Sequence, residues 1–343
     1  MRKLASIQKI KFVRPIPDAD MIVCVGVLGW ELVAMKDEFK EGDWCIYFEI
    51  DSLLPVHPIY EFLRKSSWNP RYEMFRLKTA VRRKQISQGL ALPLSALEAL
   101  NVSCPIEEGF DLTEKLGVIK YEQLIPVELQ GQARPFAWPI SITDEIRVQS
   151  FPDFIQKLWG KPYYISIKLD GTSTTFAYVN KEFHACGHNY SYLEDEFNTF
   201  WKIANRYDLP AIFPAYCEHV GVNLSLQGET IGEKIQSNKM GLKEQDTYIF
   251  NVVDSDTNVR LSLSNAMDVV SDLNMKFVPI LEVGESFAYT QEDLLRLADG
   301  FYAEHFPTAK PTQFCEGIVI RSLDGTISFK VISNKYLGNG EDD

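Results

Sequence analysis

Lys168 stands in the run Ile165-Ser-Ile-Lys168-Leu-Asp170-Gly171-Thr-Ser173. Three groups follow it in order: Leu226-Gln-Gly-Glu229, Glu316-Gly-Ile-Val-Ile-Arg321 and Ser328-Phe-Lys330-Val. An amine, several carboxylates and a second cation are the equipment of phosphoryl chemistry. A free lysine has a pKa of about 10.4, so its amine is almost wholly protonated at neutral pH. Neighbouring cations, desolvation or a metal lower that value and make it a nucleophile. Lys330 can supply such a charge and can hold phosphate oxygens in a transition state. Glu229 and Glu316 are hard oxygen ligands of the kind that suits Mg²⁺ or Mn²⁺. Asp170 can cap the turn after Lys168, orient the lysine or a metal-bound water, or do both. Each residue alone has a plainer reading. Asp-Gly between alternating residues is first a hairpin signal, Lys330 an exposed strand lysine, either glutamate a surface carboxylate, and Phe250 a core ring.

The ordered set is more specific than its parts. It resembles the motifs of covalent nucleotidyltransferases, the superfamily of ATP-dependent ligases and capping enzymes. In that family the motif lysine attacks the α-phosphate of a nucleotide and carries the nucleoside monophosphate as a phosphoramidate. The segment from Leu226 to Leu242 runs Gln-Gly-Glu into Gly-Glu-Lys-Ile-Gln-Ser-Asn-Lys. It is similar to the Deinococcus/Naegleria-type branch of ATP-dependent RNA ligases, in which an OB domain precedes the transferase domain.

The resemblance implies roles for individual residues. Lys168, Asp170 and Lys330 would be catalytic. Arg147, Ile167, Ser173, Glu229, Phe250, Lys330 and Lys335 would surround ATP, with Phe250 stacked on adenine and Glu229 on the ribose. Glu316 would help to hold Mg²⁺ or Mn²⁺. The expected activity is sealing of 3′-hydroxyl/5′-phosphate breaks in RNA through lysyl-AMP and an adenylylated 5′ end, at nicks in RNA or RNA/DNA duplexes with RNA on the 3′-hydroxyl side. Two departures stand out. Many ligases carry Lys-x-Lys in the last motif, whereas this chain has Lys330-Val-Ile332, which shifts the second contact toward Lys335. Relatives often have Arg-Asn after the first motif, whereas this chain has Gly187-His188-Asn189. A histidine grips ribose or phosphate less firmly than a bidentate arginine. The competing readings are a DNA ligase or capping guanylyltransferase, and an OB-fold nucleic-acid-binding protein whose transferase domain is inactive. Domain order and the Gln-Gly-Glu segment weigh against the first, the intact motif residues against the second.

The elements that must position these residues fall into two groups. Residues 1–115 read as short strands with turns between them, among them Met21–Trp30, Glu31–Ala34, Trp44–Ile50 and Gln88–Pro93. Many short strands with regular turns suggest a small barrel, here an OB type from its likeness to tRNA-binding modules after Pro17. Residues 116–140 read as a connector. Residues 141–343 mix strands and helices, an α+β pattern on antiparallel sheets, which the resemblance makes an ATP-grasp-like ligase core. Helices are expected over Phe151–Trp159, Leu193–Trp201, Ser264–Asp272 and Gln291–Ala298, and strands over Tyr164–Lys168, Tyr248–Val253 and Gly317–Arg321.

The chain has 343 residues, 45% apolar and 24% charged, enough for two cored domains of ordinary globular type. No apolar run nears the roughly 20 residues of a membrane span, and the first residues lack an apolar signal core. An intracellular, cytoplasmic monomer is expected. Six scattered cysteines without a Cys-x-x-Cys pair point to reduced thiols. His184 and His188 flank Cys186, where ordinary histidines outweigh a metal site. The net charge of −12 opposes nucleic-acid binding, but its distribution does not. Between Arg64 and Lys84 eight cations face one acid, Glu73, with Trp68, Tyr72 and Phe75 interleaved. Such a stretch can track phosphates and stack bases, and Arg76, Lys78, Arg82, Arg83 and Lys84 are the candidate contacts. A solvated basic strand is the plainer alternative.

Overall fold

The computed structural model describes residues 3–121 and 133–338. Part of the expected connector, residues 122–132, lies outside the described residues, as do the two N-terminal residues and the acidic end. The described residues form two compact units. The first holds 3–121, 149–152 and 337–338; the second holds 133–148 and 153–336. No described helix is long and apolar enough to cross a membrane.

The first unit is built on one long strand, Ala5–Pro15. Its first half pairs antiparallel with Trp44–Phe48, its second half with Ile22–Val27, and the register shifts between Ile10 and Phe12. An irregularity of this kind bends a strand and lets it serve two sides of a barrel. Leu90–Pro93 and Trp30–Met35 complete the five-stranded sheet. Ile7, Ile46, Phe48, Leu54, Tyr60 and Phe75 share one core, and Val25, Trp30 and Tyr47 another. The single strand expected over Met21–Trp30 is a hairpin instead. The chain reverses at Leu28, whose φ is +54°. The two-residue turn is Leu28-Gly29; glycine is a turn residue, but leucine is an unusual occupant of the position before it.

A second hairpin, Ala80–Arg82 against Gln85–Ser87, carries Arg83 and Lys84 in its two-residue turn, with φ of +50° and +64°. Asn-Gly is the ordinary occupant of such a turn. Here two cations take the strained positions and stand exposed, with Arg82 beside them.

The second unit has two sheets. The larger runs Ala133–Arg134, Ser191–Tyr192, Glu182–Cys186, Thr172–Val179, Leu224–Ile231, Asp246–Asp254 and Val259–Arg260, with Lys276–Phe277 parallel to Asp246–Asp254. The smaller runs Ile280–Gly284, Tyr163–Lys168, Gly317–Ser322 and Ser328–Ile332. Helices Thr199–Arg206, Leu209–Val220 and Leu263–Asp272 cover one face of the larger sheet through Phe200, Ile203, Phe213 and Val270 against Phe176 and Leu226. The helix expected over Leu193–Trp201 starts later. Asn198 accepts from the N–H groups of Phe200 and Trp201 and so caps Thr199–Arg206. The sequence reading missed Leu209–Val220, which carries Pro210 and Pro214. Proline is tolerated in a first turn but disfavoured in a helix interior; packing of Leu209, Phe213 and Cys217 overrides that local bias.

The Asp-Gly signal after Lys168 is not a hairpin. Tyr163–Lys168 belongs to the smaller sheet and Thr172–Val179 to the larger. Leu169, Asp170 and Gly171 carry the chain from one sheet to the other, and a Cβ at Gly171 would clash with the Thr230 carbonyl oxygen.

Gly317 lies opposite both Lys168 and Ile332 with φ of +157°. A Cβ there would strike the Val331 carbonyl oxygen. Gly317→Ala is expected to lower the unfolding free energy by about 2 kcal/mol or more in urea titrations. Gly300→Ala, whose nearest atom would be 3.9 Å away, should stay within about 0.5 kcal/mol of the parent.

Candidate active site

Antiparallel register places the first ion pair. Lys168 ends its strand opposite Gly317, so Glu316, one residue earlier, meets the lysine. Nζ lies 2.6 Å from Glu316 Oε2. Burial pushes the ammonium toward deprotonation, but Glu316, Glu229 and Asp170 outweigh it and hold the lysine above its usual value. In this state Lys168 is a locked cation.

Around it a cavity of about 200 Å³ is lined by both sheets, with Lys168, Ser173, Glu229, Phe250, Arg321 and Lys330 in its wall. Ile167 also lines it. Ser173 pairs with Glu229 across adjacent strands, and its hydroxyl lies 2.5 Å from that of Thr143. Burial raises Glu229 to about 8, with Glu316 and Asp170 adding to the effect and Lys168 opposing it. Burial and the Glu316 charge raise Asp170 too, while Lys239, 3.1 Å away, pulls it down.

Lys330 enters from Ser328–Ile332. The segment around Arg147 runs parallel beside that strand: Lys330 N donates to Ile146 O at 2.7 Å, and Val148 N donates to Lys330 O at 3.0 Å. Burial, with the charges of Arg147 and Lys168, lowers Lys330 to about 8, against a counter-pull from Asp144 at 3.8 Å. Arg147 therefore sits next to the site through the backbone and acts on Lys330 by charge.

Several expected residues lie elsewhere. Lys335 is outside the cavity wall, 3.5 Å from Asp299 and more than half exposed. Arg76 is turned inward, 3.6 Å from Asp51 and stacked over Tyr121 at 3.5 Å. It therefore belongs to the framework of the first unit and is not an open phosphate contact. Arg64, in the same basic stretch, is taken up by Glu61 at 2.6 Å and by the Trp68 ring. Lys78, Arg82, Arg83 and Lys84 remain exposed. His188 lines the cavity, whereas His184 is buried beside Arg134 and Ser191. All six cysteines are free. Among the described residues, no three His, Cys, Asp or Glu side chains stand close enough to hold a metal directly.

The sequence reading missed three participants. Arg321 ends its motif almost fully buried, donates to Glu145 Oε1 at 2.9 Å and lies 5.5 Å from the Phe250 ring. Arg260 reaches the same oxygen at 3.4 Å. Burial opposes ionisation of Glu145, and the two arginines overcome it. The warning sign was a charge at the end of an apolar strand. Tyr302 is the second. Its hydroxyl donates to Lys168 O at 2.9 Å and accepts from Asp170 N at 2.9 Å and Glu316 N at 3.2 Å. One buried group thus joins the Lys168 motif to the Glu316 motif, and no local pattern announces it. Lys239 is the third.

Residues 4–94 match an OB-fold domain and residues 161–337 match the RNA ligase family. No curated protein matches the chain in a sequence comparison. Solved structures do. Naegleria gruberi RNA ligase with PPi is 36% identical, with 100% of each chain covered and a TM-score of 0.87. A mutant of that ligase with AMP and Mn is 37% identical, with 98% of each chain covered and a TM-score of 0.86. Another mutant, with ATP and Mn, is 36% identical over 98% of each chain, with a TM-score of 0.86. The expectation of an α+β chain with an N-terminal OB fold is met.

The raised Glu229 sets a pH dependence. Its folded value of about 8 lies above the ordinary 4.5 of a glutamate, so the unfolded chain loses the proton first and stability falls as pH climbs through that window. In Glu229→Gln that decline should be absent. At and above pH 8 the variant, free of nucleotide, should be more stable than the parent by on the order of 2 kcal/mol in urea titrations.

Proposed function

The chain belongs to the RNA ligase family, and from that premise we propose that it is an ATP-dependent RNA ligase. Its reading in full is sealing of a 3′-hydroxyl to a 5′-phosphate through lysyl-AMP, at nicks in duplexes with RNA on the 3′-hydroxyl side. The observation that carries it is Lys168, ion-paired to Glu316, in the wall of one cavity with Lys330, Glu229 and Phe250.

The chemistry follows from the charges. Lys168 gives a proton to solvent and leaves Glu316, and its nitrogen then attacks the α-phosphorus of ATP, releasing a second proton to solvent as the phosphoramidate forms. A P–N bond forms as the bond to pyrophosphate breaks. Lys330, near 8 and mostly charged at neutral pH, steadies the oxygens whose charge grows during the transfer. Phe250 offers a ring face to the adenine. AMP then passes to a 5′-phosphate, and attack by the 3′-hydroxyl expels it.

The carboxylate set suits a divalent cation. Asp170, Glu229 and Glu316 crowd one lysine, and two of the three are raised by burial and by one another. Glu316 would help to hold Mg²⁺ or Mn²⁺ through water, and Glu229 would face the ribose. The ion would offset phosphate charge.

The nucleic-acid partner rests on the first unit. An OB module can grip a backbone without reading sequence, and the strained, exposed turn of Arg83 and Lys84 with Arg82 and Lys78 supplies cations. Residues 1–115 would bind the duplex and 141–343 perform the transfer. The enzyme is taken to act as a monomer. Six free thiols suit the reducing cytoplasm.

ATP labelled in the α-phosphate should leave label on the denatured chain, and Lys168→Ala should leave none. Absence of label with both Mg²⁺ and Mn²⁺, after stripping of any AMP carried through purification, would sink the ligase reading in favour of an OB-fold binding protein. Capture from GTP, or sealing indifferent to a DNA 3′ end, would move it to a capping enzyme or a DNA ligase. Neutralising Arg82, Arg83 and Lys84 together should weaken duplex binding and flatten its salt dependence while lysine labelling survives; unchanged duplex affinity would remove the hairpin from the interface.

A further inference from the structure

The loop from Gly232 to Leu242 lines no part of the cavity, yet its backbone is under strain. Lys234, Gln236 and Asn238 have φ of +62°, +44° and +47°. Asparagine tolerates that region; lysine and glutamine have no local reason to enter it. Each such residue costs free energy and persists where the surroundings over-determine it.

Those surroundings lead to the nucleophile. Asn238 closes the loop on Leu242 with bonds of 2.9 and 3.1 Å. Thr308 Oγ1 donates to the carbonyl of the fully buried Met240 at 2.6 Å. From this anchored loop two side chains reach the turn that follows Lys168. Gln236 Nε2 donates to Gly171 O at 3.2 Å. Lys239 Nζ lies 3.1 Å from Asp170 Oδ2 and 3.9 Å above the Tyr336 ring, with its side chain only 3% exposed. A charge so deeply placed is costly unless it is paired. Its partner is the carboxylate nearest in sequence to the nucleophile.

We propose that the Gly232–Leu242 loop is a clamp on the nucleophile's turn and that Lys239 is its positioning residue. By holding Asp170, Lys239 takes a competing acceptor away from Lys168 and leaves Glu316 as that lysine's exchangeable partner. By fixing Asp170 and Gly171 together, Lys239 and Gln236 keep Lys168 Nζ aimed into the cavity. The role in AMP transfer rests on the ligase reading; the clamp itself is a statement about the turn.

Two readouts separate these. In the full chain, Lys239→Met should lower the limiting rate of AMP capture about 100-fold, the scale of a small misplacement, with KM for ATP within about twofold. Amide exchange over residues 167–173 should rise about tenfold while distant peptides stay unchanged. Lys239→Arg, which keeps the charge, should restore most of both. Should Lys239→Met fail to fold, Gln236→Ala, which removes only the bond to Gly171, should show the same changes at smaller size. Unchanged exchange across 167–173 in the variants overturns the clamp. A rise in KM alone also overturns it, because Lys239 would then be holding ATP. A parent chain that captures no AMP defeats the ligase reading, and exchange still decides the clamp.

Discussion

The site depends on one ion pair, Lys168 with Glu316, and on the sheet register that makes it. Two neighbouring strands of the smaller sheet bring a lysine and a glutamate together from positions 148 residues apart. Backbone pairing sets the meeting point, so the contact is as rigid as the sheet. Tyr302 fixes the same point from beneath, by bonding to the main chain on both sides. Lys168 is thus held by covalent neighbours, ladder and hydroxyl at once, and only its side chain is left to move.

The charges around that pair work against stability. A carboxylate raised to about 8 and a lysine lowered to about 8 share one cavity with the locked ammonium. Neither shift helps the empty protein fold. Both make sense for a site that receives a polyphosphate and its cation, which add charge of both signs and satisfy groups already in place. Glu145 and Arg321 show the contrasting case. Their charges offset each other, with Arg260 in support, and Arg321 lies against the Phe250 ring.

Much of the fold was legible because its strands are strongly patterned. Tyr163–Lys168, Asp246–Asp254 and Gly317–Ser322 fall where apolar β-formers cluster. Leu263–Asp272 and Gln291–Ala298 carry helical periodicity, and Thr290 with Asp293 caps the second in a reciprocal box. The failures have different causes. Leu28 takes a left-handed position in a turn completed by Gly29, Asn198 caps a helix inside an acidic run, and Leu209–Val220 forms despite two prolines. The first two are local signals set among stronger ones; in the third, tertiary packing outweighed a local preference.

The sequence by itself determined the chemistry on offer. Motif order put a lysine, two glutamates and a second lysine into one chain, and their types limit what they can do. Tertiary structure decided which groups meet and in what charge state. It joined Lys168 to Glu316, gave Asp170 to Lys239, turned Arg76 inward and left Lys335 with Asp299. The reason is physical. Residue type is written in the chain, but pairing and burial set which proton stays and which partner is within reach, and both arise only when distant segments pack.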